Sequence, residues 1–338
     1  MTAATRDDVA ALAGVSPATV SYVLNNGPKG VSADKRDRVL AACRRLGYRP
    51  NAIARGLRSR RTRILGLVIP DTANPYFSGL ARSLEDAAFA HGYHVVVGNS
   101  ADDPAREAAH LAVLFELRVE GILFVAADVR QDGTPLTLAP DVPVVMVDRE
   151  LPGLPFDAVV PDNAMGGRIA AQHLIALGHR RFGCVGGPAP HRHAQERLAG
   201  LVSALVEAGL PEPSVREGRF DYASGFACAQ RLLDVPPDER PSALVCANDA
   251  MAIGALRAAS ELRLRVPDDV SVIGFDDVPQ AAYTIPPLTT VAQSREMMAH
   301  MALDMLIGRL SGKQTEAHRH VVPVQLVVRS STGPIVRD

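Results

Sequence analysis

The stretch TRDDVAALAGVSPATVSYVL, residues 5–24, decides how the chain is read. Thr5 is a good helix N-cap, and Asp7 and Asp8 place acids in the first turn, opposite unpaired backbone N–H groups. Val9, Ala10, Leu12 and Ala13 then give one apolar face at helical spacing. Gly14 interrupts the run. Ser16 is a second N-cap, and Pro17 suits the first helical position because its missing N–H is not needed there. The helix that follows turns Val20, Val23 and Leu24 inward. Two short helices joined by a tight glycine turn make a helix-turn-helix.

Further along, a third helix is expected after Ser32, with Val39, Leu40, Cys43 and Leu46 as its buried stripe and Gly47 ending it in the left-handed conformation. This predicts an all-α head over residues 1–48. On the second helix, Ser16, Thr19 and Ser21 carry short hydroxyls suited to phosphate oxygens. Pro17, Ala18 and Tyr22 are left to face base edges; the first two can only pack on thymine methyls, while Tyr22 can also hydrogen-bond. A hairpin made to bind another protein would share this outline, and charge separates the two readings. Residues 1–63 hold 13 Lys and Arg against 4 Asp and Glu, whereas the remainder holds 23 against 33. A basic head on an acidic body points to nucleic acid. The apolar periodicity of residues 8–46 argues against a disordered basic tail.

After the head, Pro50 stops the preceding structure and Asn51 can cap another short helix. Gly56 costs that helix about 1 kcal/mol relative to alanine, and a helix this short is marginal alone in water. DNA would order it by pairing phosphates with Arg55, Arg58, Arg60, Arg61 and Arg63. A plain basic linker is the alternative, and Leu57, apolar among arginines, speaks against it.

From Ile64 the pattern changes. Short apolar runs at 64–69, 94–97, 121–125, 143–147, 181–185, 243–246 and 270–275 alternate with helix-length stretches at 76–90, 104–117, 163–177, 194–208 and 249–262. Alternation of this kind predicts parallel sheets covered on both faces, with ligands bound outside the carboxyl ends of the strands. Polar residues recur at those ends: Asp71 and Asn74, Asp148 and Arg149, Asn248 and Asp249, Asp276 and Asp277. Any one of them serves equally well as a cap or turn residue; their recurrence favours a cleft.

Composition bounds the rest. The 338 residues are 47% hydrophobic and 22% charged, in the range of an ordinary globular chain long enough for two or three domains. There is no apolar run of membrane-spanning length and no signal-peptide core, so a cytoplasmic protein is expected. Cys43, Cys184, Cys228 and Cys246 are scattered and read as small buried hydrophobes. His191-x-His193 and His318-x-His320 lack a third ligand at metal spacing, residues 183–187 lack a Walker lysine, and no nucleophile elbow occurs. Neither an enzyme nor a bound metal or cofactor is expected.

Taken together, Asp8-Val9-Ala10, Ala13-Gly14-Val15-Ser16, Ala18-Thr19-Val20-Ser21 and Val23-Leu24-Asn25 resemble the head of the lac repressor (LacI/GalR) family, with Arg6 departing where an apolar residue is usual. The likeness continues through Val68-Ile69-Pro70-Asp71, Asn74-Pro75-Tyr76-Phe77, Val147-Asp148-Arg149, Asp162-Asn163, Gly178-His179, Arg197-Leu198-Ala199-Gly200, Cys246-Ala247-Asn248-Asp249, Ile273-Gly274-Phe275-Asp276-Asp277 and Pro286-Pro287-Leu288-Thr289-Thr290 with Gln293. The resemblance implies a helix-turn-helix head, a hinge helix and linker over residues 49–63, and a periplasmic-binding-protein-like sensor of two parallel-sheet subdomains over 64–338. The first subdomain would take about 64–161 and 293–322, the second about 162–292 and 323–338.

It further implies DNA contacts from Asn25 and from the hinge residues Asn51, Ala54, Arg55, Leu57 and Arg58, with paired Leu57 side chains wedged into the minor groove. The effector contacts it implies are Phe77, Asp148, His191, His193, Arg197, Phe220, Asn248, Asp276 and Gln293. The expected partners are double-stranded operator DNA, a sugar, sugar phosphate or nucleoside-like effector, and a second copy of the chain. With no heptad tail before Asp338, a dimer is expected and not a zipper-linked tetramer. Two other classes share parts of the pattern. A solute-binding protein of a sugar importer would carry a signal peptide and no DNA head. An enzyme fused to such a head would show a catalytic constellation.

Overall fold

The computed structural model describes residues 4–24, 30–48, 62–127, 141–151, 156–314 and 316–335, and the chain separates into two compact units, Met1–Thr62 and Arg63–Asp338. Asn25, Asn51, Ala54, Arg55, Leu57 and Arg58 lie outside the described residues.

The first unit holds α1 (Arg6–Ala13), α2 (Pro17–Leu24) and α3 (Ala33–Leu46). Thr5 and Asp8 close a capping box: the Asp8 N–H donates to Thr5 Oγ1 at 3.3 Å and the Thr5 N–H to Asp8 Oδ2 at 2.8 Å. These bonds hold the Asp8 carboxyl below its ordinary range. Gly14 and Gly47 end α1 and α3 at φ 63° and 61°, the left-handed region that glycine enters without a Cβ clash. The core is Val9, Ala10, Ala13, Val20, Val23, Val39 and Ala42.

Here the sequence reading needs correction. Leu12, Leu40 and Leu46 are exposed, at 43%, 37% and 36%. The contact stripe of α3 runs through Val39 and Ala42, with Cys43 half-buried, so Leu40 and Leu46 fall beside it.

The second unit contains two six-stranded sheets. The first sheet comprises β1 (Ile64–Ile69), β2 (His94–Asn99), β3 (Gly121–Phe124), β4 (Val144–Val147), β5 (Asp157–Pro161) and β11 (Arg319–Val322), in the order β11-β5-β4-β3-β1-β2. The second comprises β6 (Phe182–Gly186), β7 (Ser214–Glu217), β8 (Ala243–Cys246), β9 (Ser271–Asp276), β10 (Thr289–Gln293) and β12 (Val324–Val327), in the order β12-β10-β9-β8-β6-β7. All pairings are parallel except β10 with β12.

Helices α4 (Pro75–Ala90), α5 (Pro104–Glu116) and α10 (Arg295–Leu310) pack on the first sheet. Helices α6 (Asn163–Ala176), α7 (Arg192–Glu207), α8 (Tyr222–Leu233) and α9 (Asp249–Glu261) pack on the second. Strands with helices on both faces have no solvent side, which is why β3 (GILF) and β4 (VVMV) are buried throughout. The chain crosses between the sheets after β5, after β10 and after β11. In each sheet the winding reverses once, between β1 and β3 and between β6 and β8, and a ligand site is expected at such switch points. Among the described residues, no helix is long and apolar enough to cross a membrane.

Candidate functional site

The carboxyl ends of β1, β4, β8 and β9 and the starts of α4 and α7 converge on a narrow cleft lined by Asn74, Tyr76, Phe77, Asp148, Arg149, His193, Arg197, Phe220, Asn248 and Asp276. Its wall is strained. Asp148, Phe220 and Asp276 adopt φ of 67°, 62° and 117°, where non-glycine residues are uncommon. Strain of this kind persists only where the surroundings over-determine the backbone, and it clusters at functional sites.

Two helix caps do double duty here. Asn74 Oδ1 accepts the Tyr76 N–H at 3.0 Å, which fixes the start of α4 and presents Tyr76 and Phe77. Asn248 Oδ1 accepts the Met251 N–H at 2.9 Å, and its amide donates to the Phe220 carbonyl at 3.1 Å, tying that strained loop to α9.

The buried charges form a connected network. Arg197 lies flat over Phe275, 3.7 Å from the ring centre; its Nε donates to Asn163 Oδ1 at 2.9 Å and its Nη1 to the Ala247 carbonyl at 2.6 Å, with Asp276 at 3.8 Å. Arg149 stacks on Phe77 at 5.1 Å and donates to Asp102 Oδ1 at 2.7 Å. Tyr76 donates to Asp148 Oδ1 at 2.5 Å, and Gln293 Nε2 donates to Asp276 Oδ1 at 2.7 Å.

Ionisation follows from this packing. Burial, with Asp148 adding to it, pushes the Asp276 carboxyl up to about 7 despite the Arg197 charge. Burial alone would raise Asp102, but the His191 ring and the Arg149 guanidinium hold it at about 2. Burial, then the Arg149 and Arg197 charges, push His193 well below its ordinary value, so it is neutral. At the mouth, Glu150 of the first-sheet half pairs with Arg192 of the second at 3.3 Å and with Arg319 at 2.8 Å.

Of the effector contacts named from the sequence, Phe77, Asp148, His193, Arg197, Phe220, Asn248 and Asp276 line this cavity. Gln293 stands behind it, between Tyr76 and Asp276. His191 lies beside it, edge-on to Phe220 at 5.7 Å and 4.0 Å from Asp102. The structure divides the other strand-end residues. Asp71 caps a turn at the Ala73 N–H. Asp249 accepts from Thr290 and the Val278 N–H beneath the site, and Asp277 pairs with Arg329 at 2.6 Å. Sequence reasoning did not name Tyr76, Asp102 or Asn163 as contacts, nor place Arg149 beyond its strand end.

On the head, Ser16 and Ala18 are exposed and Pro17, Thr19, Ser21 and Tyr22 half-buried. Ser16 Oγ accepts the Thr19 N–H at 3.2 Å, so it caps α2 at the start of the presented face.

The family description "Bacterial regulatory proteins, lacI family" matches residues 5–51, and that of a periplasmic binding protein-like domain matches residues 171–332. The HTH-type transcriptional repressor PurR of Haemophilus influenzae (strain PittEE) is 35% identical over 98% of this chain and 100% of its own. The ribose operon repressor of Escherichia coli (strain K12) is 37% identical over 97% of this chain and 99% of its own. Among solved structures, the lac repressor dimer bound to operator and the anti-inducer ONPF is similar with a TM-score of 0.85 at 30% identity, over 98% of this chain and 100% of that one.

Proposed function

The chain belongs to the lacI family of bacterial regulatory proteins, a family of DNA-binding repressors and not of enzymes, and from that premise we propose that it is a homodimeric repressor whose hold on operator DNA is set by an uncharged monosaccharide in the cleft. The observation that carries the effector reading is charge balance. Each cleft guanidinium already faces a carboxylate, Arg149 at 2.7 Å from Asp102 and Arg197 at 3.8 Å from Asp276. A phosphate would need cations free to pair with it and would meet the Asp148 carboxylate as a like charge. A neutral ring with hydroxyls on its edge suits alternating donors and acceptors, and Phe77 and Phe220 offer apolar faces to its C–H groups. The ribose operon repressor is named for a sugar operon, which supports this class.

On the DNA side, Ser16, Thr19 and Ser21 are assigned to phosphates, and Pro17, Ala18, Tyr22 and Asn25 to base edges. Asn51, Ala54, Arg55, Leu57 and Arg58 are assigned to a hinge at the minor groove, with paired Leu57 side chains as the wedge. The working boundaries are residues 1–48 for the head, 49–63 for the hinge and 64–338 for the sensor. The protein acts in the cytoplasm, at the nucleoid. An effector that shifts the two sheets against each other changes whether the hinges pair, so effector and DNA affinities are coupled.

Two titrations test this reading. Calorimetry with neutral monosaccharides, their phosphates and purine bases is expected to give binding for a neutral sugar only; a phosphate or purine as the tight ligand overturns the effector class. Fluorescence anisotropy on the DNA upstream of the protein's own gene is expected to show sequence-specific binding with a steep salt slope. Equal, weak binding to random DNA overturns the operator reading.

A further inference from the structure

Tyr76 is the second residue of α4 and is 3% exposed, yet it lines the cavity. Its phenol is packed edge-on against Phe77, with ring centres 5.2 Å apart. The hydroxyl donates to Asp148 Oδ1 at 2.5 Å and stands 3.3 Å from Gln293 Oε1. Gln293 in turn donates to Asp276 at 2.7 Å. One phenol and one amide thus join the two carboxylates of the cleft across the gap between the sheets. The phenol has one proton and faces two acceptors, the arrangement a ligand hydroxyl would adopt in the same place. Burial and the Asp148 carboxylate hold it well above the usual tyrosine range, so it is a permanent donor.

We propose that Tyr76 is a specificity-determining residue: its hydroxyl takes the place of one ligand hydroxyl, and the effector is a monosaccharide lacking the hydroxyl or hydroxymethyl group that would otherwise reach Asp148 and Gln293. This rests on the sugar reading of the cleft. A ligand carrying the extra group must displace a phenol fixed at its backbone by Asn74, at its ring by Phe77 and at its tip by Asp148. Phenylalanine here would remove the Tyr76 hydrogen bond and leave a vacancy the size of one oxygen between Asp148 Oδ1 and Gln293 Oε1. A ligand hydroxyl that fills the vacancy restores the lost hydrogen bond, so the variant favours that ligand.

The test uses the full-length protein and Tyr76→Phe, titrated calorimetrically with matched sugars. D-xylose and D-glucose, and L-arabinose and D-galactose, differ by one hydroxymethyl group; 2-deoxy-D-ribose and D-ribose differ by one hydroxyl. The unaltered protein is expected to prefer the smaller member of a pair by about tenfold or more, and Tyr76→Phe to reduce or reverse that preference by about tenfold. Tyr76→Leu, which shortens the wall further, is expected to move the preference the same way, and it replaces Tyr76→Phe if that variant does not fold. Sugar binding with a ratio unchanged in both variants overturns the role of Tyr76 and leaves the sugar reading intact. The same holds if the unaltered protein prefers the larger member of every pair. No binding of any of the six sugars by the unaltered protein overturns the sugar reading, and this inference with it.

Discussion

The head is held together by seven buried side chains, none larger than valine, while its leucines at 12, 40 and 46 remain exposed. The body closes its cores with Phe124, Leu65, Leu67, Ile69 and Met146, all essentially inaccessible. Charge is distributed in the opposite sense. The head's core is wholly apolar and its arginines lie outside, whereas the body buries Asp148, Arg149, Arg197 and Asp276 around one cavity. A small apolar core gives a thin margin of stability. A buried charged network on a strained backbone is secure only while every member is paired. The DNA-reading part therefore fails by losing packing and the effector-reading part by losing a partner.

The largest effect is expected from Arg197→Met. It leaves the Asn163 side chain, the Ala247 carbonyl and Asp276 without their donor or counter-charge, and a cost of roughly 3–5 kcal/mol is expected for breaking such a buried pair. Urea unfolding of the body reads the loss directly, and effector binding should vanish. A cost below about 1 kcal/mol would mean that the cleft is not the connected network described.

Val20→Ala comes next, at about 2 kcal/mol for two buried methyls and the void they leave. In the head's small core this should abolish DNA binding at 37 °C while sugar binding by the body is unchanged. Loss of both together would show that the two units do not fail independently.

The cleft should carry a pH dependence near neutrality. The Asp276 carboxyl sits at about 7 in the folded body against an ordinary value of 3.8, so folding favours its protonated form. The stability this contributes is complete below the unfolded value and is lost as pH rises from about 4 to about 7. Effector binding runs the other way, because an ionised Asp276 is the better acceptor for a hydroxyl. Affinity should rise by up to about tenfold per unit between pH 6 and 7 and level off above, and Asp276→Asn should flatten the profile. An identical slope in that variant would assign the titration to another group.

The smallest change is Thr5→Ala. It removes the capping box, and a fall of about 5 °C in the head's melting temperature is expected, with the body's unaffected.

How much of this was legible in the sequence depends on which physical signal each element carries. The strands at 64–69, 121–124 and 144–147 are covered on both faces and read as continuous apolar runs. The edge strand SVRE is exposed along its length and carries no such signal; β11 (RHVV) is nearly as weak. Helix α8 carries apolar residues at clear helical spacing, yet the sequence reading does not name it. It packs closely on α9 at two glycines: a Cβ at Gly225 would lie 2.4 Å from the Met251 backbone, and one at Gly254 2.2 Å from the Tyr222 carbonyl.

In the cleft, sequence position showed which residues stand at strand ends but not which way they turn. Asp276 faces the cavity, while its neighbour Asp277 turns to Arg329. Tyr76 stood in plain view two residues after Asn74, but only the geometry joins it to Asp148, 72 positions away.

In the function proposed, occupancy of the body controls the head. The most direct test is a closed thermodynamic cycle on the full-length protein, with the DNA upstream of its own gene and the sugar that binds best. Sugar affinity is measured with and without DNA, and DNA affinity with and without sugar. Both ratios are expected to depart from unity, by the same factor, as linkage requires. A sugar that binds the body with the same affinity whether or not DNA is bound would contradict it.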